Sequence, residues 1–124
     1  MINERLYQEI FDELSKYLVQ GWDKLVIYLE YGAGSYSIAF YVKADQGYVK
    51  CYDLPGVSDE DLLTSFSAID KLVSRERSKV KDELWSNMTI TITSDGKMHA
   101  DMDYTDLSGG TYRFKKDWKK KYLN

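Results

Sequence analysis

The amino-acid sequence predicts an α+β fold: an antiparallel sheet with long helices packed on one face, in the order αβββαββα. Three observations predict it. Five stretches alternate between two faces with period two, the pattern of half-buried strands. Glycine-bearing turns join most of them into hairpins, which makes the sheet antiparallel. The remaining stretches repeat apolar residues at helical spacing, and helices set between hairpins indicate α+β layering. With 124 residues and no linker long enough to divide it, the chain reads as one domain over residues 1–124.

Residues 3–20 form an amphipathic helix with Leu6, Ile10, Leu14 and Leu18 in one stripe and Gly21 at its stop. Leu25, Ile27, Leu29 and Tyr31 alternate on the first strand, which ends at Gly32-Ala33-Gly34. Tyr36, Ile38, Phe40 and Val42 alternate on the second. Asp45-Gln46-Gly47 turns the chain into a short third strand, Tyr48 to Tyr52. Leu54-Pro55-Gly56 breaks the pattern and Ser58 caps a second helix, with Asp59, Glu60 and Asp61 favouring its N-terminal dipole. Leu62, Phe66, Ile69, Val73, Val80 and Leu84 predict a helix over 58–84, roughly 40 Å long. The hairpin 87–103 turns at Ser94-Asp95-Gly96 and sets Met88, Ile90, Ile92, Met98, Ala100 and Met102 on one face. Thr89, Thr91, Thr93, His99, Asp101 and Asp103 occupy the other. Gly109-Gly110 then precedes a short basic helix in which Phe114, Trp118 and Tyr122 recur every four residues. With the long helices on one face, the other is expected to be open and to show Tyr28, Glu30, Tyr41, the threonines, His99, Asp101 and Asp103.

Charge is unevenly spread. Residues 111–124 hold six basic and one acidic side chain, a balance of +5, whereas the first 110 hold 11 basic and 19 acidic, a balance of −8. An acidic body is unsuited to gripping phosphate, which argues against a nucleic-acid partner, and it suits a partner with a positive face. Eleven tyrosines supply rings with polar tips, useful on sheet faces and at interfaces alike. The basic helix offers a site for RNA or an anionic membrane, but its three aromatics are better read as anchors that dock it on the body. No apolar stretch approaches the ~20 residues of a membrane span, and the N-terminus has no export pattern, so the chain reads as cytoplasmic.

Catalysis finds little support. His99 is the only histidine, and neither a serine nor Cys51 sits in a nucleophile's setting. Cys51 reads as a small core residue. Glu30 and Asp101 share the expected open face, but neither lies in an apolar pocket that would raise a pKa. His99-x-Asp101-x-Asp103 reads as a solvated acidic strand rather than a metal site, since one strand is a poor chelator and no second ligand cluster exists. No cofactor or metal is expected.

One pattern is more specific: Trp85, Thr89, Gly96-Lys97-Met98, Asp101, Asp103-Tyr104 and Asp106-Leu107, then Trp118-Lys119-Lys120-Lys121-Tyr122-Leu123. With the order of elements, it resembles the YezG-like immunity proteins. In that family a long helix leads into a tryptophan, then a strand, a Gly-Lys turn, an acidic strand ending in Tyr and Asp, and a tryptophan-bearing C-terminal helix. Met98 stands where the family usually has an aromatic. The resemblance implies a single immunity-type domain: a bacterial antitoxin that neutralises a cognate secreted toxin, often a nuclease. The expected partner is therefore a toxin domain with a basic surface, bound without catalysis. Expected contact residues are Tyr28, Glu30, Tyr41, Asp101, Asp103, Tyr104 and Asp106, with His99 at the edge. An adaptor or chaperone that escorts an exported protein is the alternative, and the oligomeric state is left open.

Overall fold

In the computed structural model, residues 4–32, 34–45, 47–80 and 84–123 are described. Helix α1 spans Glu4–Leu14 and tightens into a 3-10 turn, Ser15–Tyr17. Strands β1 (Lys24–Gly32), β2 (Ser35–Ala44) and β3 (Gly47–Lys50) follow as a meander. A 3-10 turn at Cys51–Asp53 leads to α2 (Asp59–Arg77), then the hairpin β4 (Asn87–Thr93) and β5 (Met98–Asp103), and finally α3 (Tyr112–Tyr122). The sheet order is β3-β2-β1-β4-β5, antiparallel throughout, so the expected α+β class and element order are both present.

Helices α1 and α2 pack side by side on one sheet face. Leu6, Ile10 and Leu14 of α1 and Leu62, Phe66, Ile69 and Val73 of α2 meet Leu25, Ile27, Leu29, Phe40, Val42, Met88 and Ile90. Burying each such side chain stabilises the fold by roughly 1.5–3 kcal/mol. Polar groups between the helices are paired: Ser65 Oγ donates to Glu13 at 2.8 Å and lies 2.7 Å from the Tyr17 hydroxyl. The Ser58 side chain accepts from the Asp61 N–H, as its capping position requires. Cys51 is fully buried in this core.

Several boundaries differ from the sequence expectation. The second helix stops at Arg77, so at 19 residues it is about 28 Å long. Val80 and Leu84 are exposed rather than part of its stripe, and residues 81–83 of the expected helix lie outside the described residues. The first helix ends four residues before Leu18, whose backbone is extended. The third strand ends at Lys50, and Cys51 and Tyr52 belong to the 3-10 turn instead. Asn3, Ala33 and Gln46, placed by sequence in a helix and two turns, also lie outside the described residues. Gly34 and Gly96 adopt positive φ of 75° and 92°, which explains glycine at the β1–β2 and β4–β5 reversals.

The largest correction concerns the second sheet face. It is not open, because α3 lies across it. Trp118 is only 6% exposed and packs with Val26, Tyr28 and Tyr41, flanked by Phe114, Tyr122 and Leu123. The molecule therefore has three layers, with α1 and α2 below the sheet and one basic helix above. The expected docking of the C-terminal helix is present, and its aromatic stripe is what covers the face.

Candidate functional site

The pattern that runs from Trp85 to Tyr122 is where the chain's specific chemistry lies, and its two tryptophans each anchor a set of contacts. Trp85 is buried and stands edge-on to Tyr31 at 5.5 Å. The Arg77 guanidinium stacks on both rings, at 4.9 Å from Tyr31 and 4.7 Å from Trp85, and donates to the Trp85 carbonyl at 2.6 Å. This fixes the end of α2 against the sheet and sets where β4 begins. Burial lowers the Arg77 pKa, since desolvation penalises its charge.

The second half of the pattern clamps α3. The Trp118 indole N–H donates to Thr89 Oγ1 at 2.8 Å in a buried bond. Its ring meets Tyr28, Tyr41 and Tyr122 at 5.1, 5.7 and 5.4 Å between centroids. The β4–β5 register sets Thr89 opposite Asp101, so the same ladder positions the next contact. Asp101 accepts from the Tyr122 hydroxyl at 2.8 Å with one oxygen and lies 2.7 Å from His99 Nε2 with the other. Burial pushes the Asp101 carboxyl up, but the Tyr122 and His99 hydrogen bonds and the nearby Lys121 charge outweigh it. The net result lies below the ordinary value. Burial and the Asp101 bond push the Tyr122 hydroxyl up to about 12.

Asp103 accepts from the Asn87 amide at 2.9 Å and from the Thr105 N–H at 3.1 Å, and these outweigh its burial to lower its pKa. Asp106 accepts from the Ser108 N–H at 2.9 Å, a short-range turn that also lowers its pKa. Glu30 accepts from the Tyr28 hydroxyl at 2.7 Å, with Lys115 of α3 4.0 Å away.

The expected contact residues therefore divide into three groups. Tyr28 and Tyr41 lie buried under Trp118, so the expectation that they face solvent is corrected. Asp101 and Asp103 line a groove between β5 and α3 with Asp117, Lys121 and Tyr122, while His99 sits exposed on the β5 edge strand. Glu30, Tyr104 and Asp106 come together in a second groove at the end of the sheet, with Tyr31, Tyr36 and Ser86. Tyr104 is 49% exposed and Tyr36 is 44% exposed, so this groove carries two half-exposed rings beside two carboxylates. Tyr36 was not anticipated. Its signal was its position just past the β1–β2 turn, opposite Tyr31, on which it stacks at 5.9 Å. Among the described residues, no group of three or more His, Cys, Asp or Glu side chains is arranged to hold a metal ion. Among them, too, no helix is long and apolar enough to cross a membrane.

Comparison with known proteins gives the same direction as the motif. The family model described as "Immunity protein YezG-like" matches residues 3–124. The chain is similar to the immunity protein YezG of Bacillus subtilis (strain 168), with 26% identity covering 82% of this chain and 73% of that protein. It is also similar to the immunity protein YezG of Bacillus spizizenii, with 24% identity covering 82% of this chain and 68% of that one. The match runs from α1 to the end of α3, through the Trp85 staple and the Trp118 clamp, and the chain belongs to the YezG-like family of immunity proteins.

Proposed function

We propose that the chain acts as a single non-catalytic domain that neutralises a toxin, specifically a nuclease, by covering its active or substrate-binding surface. An immunity role and a toxin partner follow from the family; the target chemistry and the blocking mode are our reading. The observation that carries it is the groove at the end of the sheet, where Tyr36 and Tyr104 stand half-exposed beside Glu30 and Asp106. A nuclease is basic where it holds phosphate, and carboxylates on a rigid edge are suited to occupy that place. Tyrosines lose little entropy on binding and supply a large, rigid contact area, which is why they are enriched among the residues that dominate interfaces. Asp101 and Asp103 extend the acidic surface along β5, and the −8 charge of the first 110 residues steers a basic partner toward it. Tyr28 and Tyr41 act from beneath, by supporting the helix that walls this surface. His99 stays at the rim.

Co-expression with the toxin tests the reading. The parent chain should restore growth, and a variant carrying Tyr104→Ala and Asp106→Lys should fold normally but fail to protect. A chain that binds the toxin without lowering its activity would instead favour the escort role. Loss of rim charges should show as slower, less salt-sensitive association. A desolvated central pair should cost about 2–5 kcal/mol when broken and speed dissociation.

A further inference from the structure

Strand β5 is an edge of the sheet, and its sequence is complementary to itself when read in the opposite direction. We propose that a second copy of this chain docks along β5, joining two five-stranded sheets into one across a two-fold axis at Ala100. The backbone sets the phase. The Thr93 N–H donates to the Lys97 carbonyl, and the Ser86 N–H donates to the Asp103 carbonyl. Odd-numbered residues of β5 therefore turn their polar backbone groups toward β4, and Met98, Ala100 and Met102 turn theirs outward. Among the described residues, no backbone hydrogen bond reaches the N–H groups of those three from that side.

Antiparallel pairing about Ala100 sets Lys97 opposite Asp103 of the second copy, Met98 opposite Met102, His99 opposite Asp101, and Ala100 opposite itself. Every charged position then meets its opposite or an imidazole, and every apolar position meets an apolar one. The three outward residues of each copy exchange about six hydrogen bonds. The neighbouring registers that keep the same backbone phase are unfavourable. A shift of two residues one way sets Asp101 against Asp101, and the other way sets Asp95 against Asp103. Charges on an edge strand ordinarily prevent sheet extension; here one register converts them into pairs.

The side chains support the same occupant. Met98 is 36% exposed and Met102 39% exposed, on the sheet face that α1 and α2 cover. They edge a groove whose other wall is Tyr7 and Gln8 of α1. In the proposed register, Met102 of the second copy lands beside Met98 and closes this groove. The two-fold makes the patch isologous, as dimer interfaces commonly are. The pairing takes up His99, Asp101 and Asp103, so it competes with toxin contact along β5; its test, the oligomeric state of the chain alone, is read without the toxin.

Sedimentation and light scattering of the intact chain across micromolar concentrations test it. The expected mass at the upper end is twice 14.5 kDa, and a monomer throughout overturns the proposal. Ala100→Pro removes an outward N–H and no bond to β4. The variant should be monomeric with unchanged circular dichroism, and a dimer of unchanged affinity overturns the proposed edge. Should that variant fail to fold, Asp103→Lys sets Lys97 against a lysine at both ends of the interface, raising the dimer dissociation constant roughly tenfold or more. Adding Lys97→Asp restores opposite charges and should recover the dimer. Failure of the double exchange to do so in a folded chain contradicts the register.

Discussion

Replacing Trp118 by alanine is the sharpest perturbation of the three-layer arrangement. The ring is nearly buried between Tyr28, Tyr41 and Tyr122, and its N–H makes a buried bond to Thr89. Truncating a buried tryptophan costs about 3–5 kcal/mol through lost transfer energy and the cavity left behind. The lost hydrogen bond contributes about 1 kcal/mol of that. For a chain of this size each kcal/mol lowers the melting temperature by roughly 3–5 °C, so a fall of about 10–20 °C is expected. Phe in place of Trp118 keeps most of the ring contact and removes the N–H, so it should lose about 1–2 kcal/mol. Urea unfolding followed by circular dichroism measures both. Removing residues 111–124 should destabilise the chain at least as much as Trp118→Ala. If Trp118→Ala costs less than about 1 kcal/mol, α3 is not a structural layer, and its lysines become available for RNA or a membrane surface.

Further outcomes follow from other contacts. Tyr122 has a folded pKa of about 12, above the ordinary value near 10, so its contribution is complete below pH 10 and is lost as pH rises toward 12. Tyr122→Phe should flatten that part of the alkaline stability curve, and an unchanged slope would show that the Asp101 bond is not formed. Asp101 has a depressed pKa, so its contribution is present above about pH 4 and is lost as pH falls below that. Asp101→Asn should make the acid limb shallower than that of the parent. Arg77→Met removes a stacked cation and its bond to the Trp85 carbonyl, and should cost about 1–3 kcal/mol by urea titration. A chelator should leave the melting temperature unchanged, and a loss of several degrees would reveal a bound metal.

The strands were legible because period two is a local property: Ile90 and Ile92 enter the core while Thr91 between them does not, whatever the rest of the chain does. The covered second face was harder to read, because which layer lies over a strand is a tertiary matter. The signal was present in β1, where Leu25, Val26, Ile27, Tyr28 and Leu29 are apolar in succession. Such a run marks a strand buried on both sides. Reading only the alternate residues Leu25, Ile27 and Leu29 as core passed over Val26 and set Tyr28 on an open face, and these are residues that Trp118 covers. The end of α2 was overrun because neither glycine nor proline marks it, while Val80 and Leu84 continue the periodicity by chance of spacing. Its stop is set by Arg77 reaching Trp85, a contact between separate elements. The acidic strand was visible as a cluster, but its division into an α3-clamping carboxylate at Asp101 and a solvent-facing one at Asp106 depends on where Tyr122 lands.

The most direct test of the toxin-blocking account is the activity of the purified toxin domain titrated with the parent chain and with the Tyr104→Ala, Asp106→Lys variant. Neither side chain holds α3 or the core, so folding should be unaffected. The account predicts stoichiometric inhibition by the parent and a large loss of inhibition by the variant, with faster dissociation in binding kinetics. A variant that folds and inhibits as the parent does would contradict the proposed surface.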